Sequence, residues 1–186
     1  MECGWNVEHY RPVRGRITPL SIKRPLKLLG YRIKNLVKLQ GGEYIALERL
    51  ESIYKSCQYV GNICVHAVPD ARQPMALVFP HEANLRHTLS TSPPSGFKGD
   101  ANNADLSVLC ADKSVQDLVL KECIAVGKNA QFKSVELLEA VVLTPDEWTP
   151  ESGLVTAAQK IQRRALQAKY KNEIAVSFFF SDKRGE

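Results

Sequence analysis

YRIKNLVKLQGGEYIALERLESIYKSC, residues 31–57, changes its hydrophobic period part-way along. Ile33, Asn35, Val37 and Leu39 alternate with Arg32, Lys34 and Lys38, with Leu36 breaking the polar side. Gly41-Gly42 then interrupts the run before Glu43-Tyr44-Ile45. Side chains of a strand point alternately to its two faces, so this pattern around a glycine pair predicts two short strands joined by a turn. Leu47, Leu50, Ile53 and Tyr54 follow at helical spacing and predict a helix over roughly residues 46–57.

Working outward, residues 59–67 and 75–80 are apolar and β-branched enough to form strands, the second ending at Pro80. TSPPSGFKGDANNAD, within the span 90–104 and its border, carries almost nothing apolar and predicts an exposed, mobile surface excursion. Ser114, with Asp117 three residues later, reads as an N-cap. Leu118, Val119 and Cys123 continue a helical stripe, and Gly127 suits the residue just past the helix end. Residues 134–143 read as a further strand. Thr156 and Gln159 match a capping box that would open a helix with Ile161, Ala165 and Leu166 on one face. Short strands mixed with helices, and no internal repeat, predict an α+β domain.

The whole chain has 186 residues, 44% of them hydrophobic and 24% charged, with a formal net charge of +5 and a pI near 9.0. That length suits one domain with a sizeable core. No run is long and apolar enough to predict a transmembrane helix. Arg11, Arg14 and Arg16 interrupt any apolar leader, which argues against a secretory signal. The cysteines (Cys3, Cys57, Cys64, Cys110 and Cys123) form no C-x-x-C pair and have no partners at zinc spacing, so buried thiols in a reducing compartment are expected. Nine Lys or Arg residues and no acid lie between Arg11 and Lys38. Such a stretch can be a solvated basic tail or can meet nucleic acid or an anionic membrane. It lacks aromatic interleaving beyond Tyr31, which disfavours stacking on single-stranded nucleic acid.

Phosphate-loop, dinucleotide and nucleophile-elbow motifs are absent. His9, His66, His81 and His87 are not arranged for catalysis. Glu48 and Glu51, one helical turn apart, read as a solvated face. Two places carry more. At Gly41-Gly42 a bare backbone could approach a ligand, although composition alone favours a plain hairpin turn. Lys160 would fall in the first turn of the helix capped by Thr156, where amides and dipole favour a phosphate or carboxylate. Gly153, Pro145 and Pro150 would make the segment before it mobile.

At these places the chain resembles a known family. GYRIKNLVKLQGGEYIALERLE (residues 30–51) is similar to the hinge and following helix of AMP-forming long-chain acyl-CoA synthetases, which are adenylate-forming enzymes. TPESGLVTAAQKIQRR (residues 149–164) resembles their motif near the C-terminus, and YVGNICVHAVPDARQPMALVFP between them resembles a strand pair of their small C-terminal domain. The resemblance covers roughly residues 31–170 in the right order. It implies a small lid domain over residues 32–186, with a short β-sheet flanked by helices and the exposed loop near 90–104. Residues 1–31 would be a divergent, poorly ordered basic segment.

The implied reaction is ATP-dependent and magnesium-dependent. A fatty acid forms an acyl-adenylate and pyrophosphate, and the thiol of CoA then displaces AMP. Lys160 would be the adenylation lysine, Arg32 would contact the adenylate ribose, and Lys34 would be the hinge. Gly41, Gly42 and Glu43 would line the CoA side during the second step; no residue here is assigned to metal. The family has an acid before the hinge arginine where this chain has Tyr31, and its large ATP-binding domain is not among these residues. The resemblance therefore implies a truncated fragment with negligible activity alone, whose partner is a large N-terminal adenylation domain. A regulatory module that binds a full-length paralogue is the alternative. Its place would be the cytoplasmic side, with weak contact to an anionic membrane of the endoplasmic reticulum, lipid droplet or peroxisome; a C-terminal S-K-L is lacking.

Overall fold

The computed structural model of the chain describes residues 36–182. Arg32, Lys34, Cys3, His9 and the basic segment before residue 36 lie outside the described residues, as do residues 183–186. Strands β1 (Leu36–Lys38) and β2 (Tyr44–Ala46) pair antiparallel, with Val37 opposite Ile45. Helix α1 (Leu47–Tyr54) follows without a break, and β3 (Val60–His66) and β4 (Met75–Pro80) form an antiparallel pair. Helices α2 (Glu82–Thr91), α3 (Leu106–Ala111) and α4 (Lys113–Asn129) intervene before β5 (Ala140–Leu143), which adds parallel to β4. Helices α5 (Arg163–Lys169) and α6 (Lys171–Asp182) close the order. The second sheet therefore runs β3-β4-β5, with β3 on an edge.

That sheet is buried on both faces, and the two-residue period of a strand sorts its side chains between two cores. Ile63, Val65, Ala76, Val78, Val141 and Leu143 join Leu50 and Tyr54 of α1, Leu85 of α2 and Val119 of α4 in one cluster. Their neighbours Cys64, Met75, Leu77, Ala140 and Val142 point the other way, against Trp148, Leu154, Val155, Leu166 and Tyr170. The result is an α+β fold with a short sheet between two layers.

Several local expectations change. Asp112, not Ser114, caps α4: its carboxylate accepts from the Ser114 amide at 2.8 Å. Gly127 lies inside α4, and the residue past the helix end is Gln131, with φ of +58°. The amide of Phe132 donates to the Gly127 carbonyl and that of Gln131 to the Lys128 carbonyl, which closes a Schellman motif. Glycine is instead needed inside the helix for close approach, because a Cβ there would sit 2.9 Å from Leu137 Cδ2 and 3.0 Å from Tyr54 Oη. Only residues 140–143 of the span 134–143 are a strand. Ser134–Glu136 forms a 3₁₀ turn, since the Glu136 carboxylate turns back to accept from the Lys133 amide.

The polar loop before α3 has more anchorage than its composition suggests. One Arg86 nitrogen, Nη1, donates to the carbonyls of Ala101 (2.8 Å) and Ala104 (2.9 Å), and Ser90 bonds to Asn102. Phe97 packs on the first core. The helix expected from Thr156 is absent until Arg163, for reasons given next.

Candidate functional site

Lys160 stands at the end of a tight hairpin rather than in a helix. Val155 and Ile161 form an antiparallel bridge. The Thr156 amide donates to the Lys160 carbonyl at 2.9 Å, and the Gln162 amide to the Leu154 carbonyl at 2.9 Å. Gln159 takes the left-handed conformation, φ +57°, that reverses the chain. The Thr156 hydroxyl does accept a backbone amide, as a cap would, but from Lys160 across the turn at 3.2 Å. Helix α5 begins at Arg163 with Gln162 as an uncapped start, so no helix N-terminus lies at Lys160. Its fitness for an anion rests on an exposed ammonium, in no ion pair among the described residues.

The hairpin stem is fixed although its tip is open. Leu154 and Val155 are buried in the second core. Thr149 and Ser152 bond reciprocally, each amide to the other's hydroxyl at 3.1 and 3.2 Å. The segment expected to move is thus a hydrogen-bonded turn leading into a buried stem.

The expected solvated face at Glu48 and Glu51 is corrected by the burial of Glu51. Its carboxylate meets the Arg163 guanidinium in a fork, Nη1 to Oε1 at 2.6 Å and Nη2 to Oε2 at 2.7 Å, with side chains 9% and 18% exposed. Both ends of the pair also serve the edge strand. The Val65 amide donates to Glu51 Oε1 at 2.8 Å, and the Val65 carbonyl accepts from Arg163 Nη1 at 3.0 Å. A helix on one face and a helix on the other are therefore joined around the border of the sheet. Burial pushes the Glu51 carboxyl above its ordinary 4.5, against the lowering pull of Arg163. Next to it, burial pushes the Cys64 thiol up to about 12. His66 Nδ1 lies 2.8 Å from the Gln167 amide nitrogen, and burial, then the Arg163 charge, lowers its pKa below 6.5. A neutral ring that accepts from Gln167 fits both facts.

The signal for Glu51 was present in the sequence. Leu47, Leu50, Glu51 and Tyr54 follow the i, i+3, i+4, i+7 spacing of one helix face, and all are buried.

Gly41 and Gly42 both lie at positive φ, +86° and +81°, in the β1–β2 turn. The Leu39 amide donates to the Glu43 carbonyl at 2.8 Å, and Leu39 and Ile45 anchor the hairpin in the first core. A Cβ on Gly41 would meet nothing within 4 Å, so the turn presents open backbone. Glu43 is held by Lys133 Nζ at 3.0 Å. The two singled-out places are thus not one constellation: the glycine turn belongs to one layer and the Lys160 hairpin to the other.

Cys57, Cys64, Cys110 and Cys123 are buried thiols, free of disulfides. Among the described residues no three of His, Cys, Asp or Glu gather into a metal site. No helix among them is long and apolar enough to cross a membrane.

The chain is similar in sequence and in fold to known proteins. The chain is 43% identical over 164 residues to long-chain-fatty-acid–CoA ligase 1 of Schizosaccharomyces pombe, which covers 88% of the chain and 23% of that relative. It is 41% identical over 160 residues to long-chain-fatty-acid–CoA ligase 3 of Saccharomyces cerevisiae, covering 86% and 22%. The chain thus spans under a quarter of the length of these curated relatives. The adenylation domain of the carboxylate reductase from Mycobacterium chelonae shares the fold, with a TM-score of 0.62 and 24% identity over 78% of this chain and 19% of that one. The adenylation and carrier didomain of the carboxylic acid reductase from Segniliparus rugosus gives 0.61 and 21%, over 78% and 17%. No family model matches.

Proposed function

Because the chain belongs to the long-chain fatty acid–CoA ligases, as a C-terminal part of them, we propose that it is the moving lid of a two-step adenylating enzyme. The observation that supports this most is the display of Lys160: an exposed ammonium at the tip of a hairpin whose stem is buried. A lid must carry its cation into a site built elsewhere, with the cation's position set before closure.

In the first step a carboxylate oxygen of the fatty acid attacks the α-phosphorus of ATP and pyrophosphate leaves. Lys160 bridges the carboxylate and the α-phosphate, countering charge as it develops. Arg32 contacts the ribose, and Lys34 absorbs the rotation between steps. In the second step the thiol sulfur of CoA attacks the acyl carbonyl and AMP leaves. The turn Gly41-Gly42 with Glu43 then faces the pantetheine, its open backbone permitting close approach. Two working surfaces on opposite layers of one rigid sheet suit a domain that presents them in turn. The large adenylation domain is the partner, and the 186 residues alone should show negligible turnover.

The test joins the chain through residue 32 to the large domain of the S. pombe relative. Lys160→Ala should slow ATP–pyrophosphate exchange by about 10²-fold or more, roughly 2.7 kcal/mol of transition-state stabilisation, and leave thioester formation from supplied acyl-adenylate near normal. Normal exchange by the alanine variant would overturn the assignment of Lys160.

A further inference from the structure

We infer that Glu51, through its forked bond to Arg163, is the positioning residue for the Lys160 hairpin, an inference that rests on the lid reading of Lys160. Arg163 is the first residue of α5 and follows Lys160 by three positions, a reach of at most about 10 Å of extended chain. Fixing its guanidinium limits how far the hairpin tip can swing.

The remaining anchors do not supply direction. Leu154 and Val155 hold the stem by apolar burial, a non-directional force that sets its depth more than its angle. The Thr156, Gln159, Lys160 and Gln162 amides bond within the hairpin and hold its shape, not its orientation on the body. A planar guanidinium on a carboxylate fixes both distance and angle. Here the acceptor is itself held, since Glu51 takes the Val65 amide while Arg163 gives to the Val65 carbonyl. The hairpin is thereby referenced to the backbone of the edge strand and to α1. Since α1 follows directly from β2, the strand that leaves the Gly41-Gly42 turn, the pair references the hairpin to the same helix that carries that turn. A misplacement of about 1 Å at a catalytic group can cost on the order of a hundredfold in rate, so such a reference is needed.

Two variants test it, Glu51→Gln, which removes the charge, and Arg163→Lys, which keeps charge and loses the fork. In the 186-residue chain, hydrogen exchange at the Thr156, Gln159, Lys160 and Gln162 amides should quicken in both by about tenfold more than at the α4 amides, which report the global stability that breaking the pair costs. Unchanged hairpin exchange, or equal quickening of α4, overturns the inference. In the joined enzyme, both variants should lower kcat of pyrophosphate exchange by about tenfold at unchanged KM for ATP, leaving thioester formation from supplied adenylate within about twofold. Equal loss in both half-reactions marks a merely structural role and refutes positioning. If Lys160→Ala leaves exchange intact, the lid reading falls, while the amide measurement still decides whether Glu51 orients the hairpin.

Discussion

Substituting Arg163 by Met removes a cation while keeping most of the stem, and isolates what the buried carboxylate costs without its partner. Glu51 has a 9%-exposed side chain, so water reaches it poorly, and it retains only the Val65 amide. Breaking a buried pair from one side costs about 3–5 kcal/mol; the 18% exposure of Arg163 argues for the lower end, about 3 kcal/mol. At about 2–4 °C per kcal/mol for a domain of this size, Tm should fall by roughly 10 °C. Burial already raises the Glu51 pKa in the folded state, and loss of Arg163 raises it further. A carboxyl raised on folding binds protons more readily in the native state, so its penalty is full above the folded pKa. That penalty is relieved as pH falls toward 4.5. Urea unfolding followed by circular dichroism, at about pH 7.5 and about pH 5, should therefore show a smaller deficit under acid. Adding Glu51→Gln to Arg163→Met should recover about half the loss, since an amide oxygen still accepts from Val65 and no charge is stranded. A deficit under about 1 kcal/mol, or one that grows on acidification, would refute the account of the pair as a desolvated ion bond.

Other substitutions probe separate features. Gly127→Ala should destabilise by about 1–2 kcal/mol in thermal unfolding despite the better helix propensity of alanine, because the new methyl meets Leu137, Tyr54 and Phe132 at 2.9–3.1 Å. Arg86→Ala should expose the loop to trypsin at Lys98 at enzyme levels that leave the parent whole, since the carbonyls of Ala101 and Ala104 lose their shared donor. His66 has a folded pKa below 6.5, so the unfolded chain takes up its proton first and stability is lost as pH falls through 6.5. His66→Gln should remove that loss, seen as a flatter dependence of the urea midpoint between about pH 7 and about pH 5.5.

The strands of the sheet were legible because both faces are buried, which makes β4 a continuous apolar run and Ile63-Cys64-Val65 the apolar heart of β3. The helix at residues 47–54 was legible because one face of it is buried at helical spacing. The Lys160 hairpin was not. Thr156 and Gln159 satisfy a capping pattern, but a hydroxyl that accepts an amide closes a turn as readily as it caps a helix. The deciding feature, a left-handed Gln159, leaves no mark in composition. Lys133 and Glu43, 90 residues apart, and Glu51 and Arg163, 112 apart, meet only through tertiary packing that no local pattern encodes. Lys160 and the glycine turn stand out in the sequence by residue type and local pattern, and the family resemblance adds an expected role to each. Glu51 carried a readable place in the buried stripe, obscured by its charge.

The border of β3 bears on how this chain behaves in company with others. An exposed edge strand offers its unpaired amides and carbonyls as a template on which another chain can add a strand, the first step toward aggregation. β3 is blunted at both ends: the register slips between Val60 and Asn62, and the ion pair occupies the backbone of Val65. A variant that keeps its fold but loses Arg163 would open that border beside an apolar strand. Its failure in a cell would then be insolubility that rises with concentration.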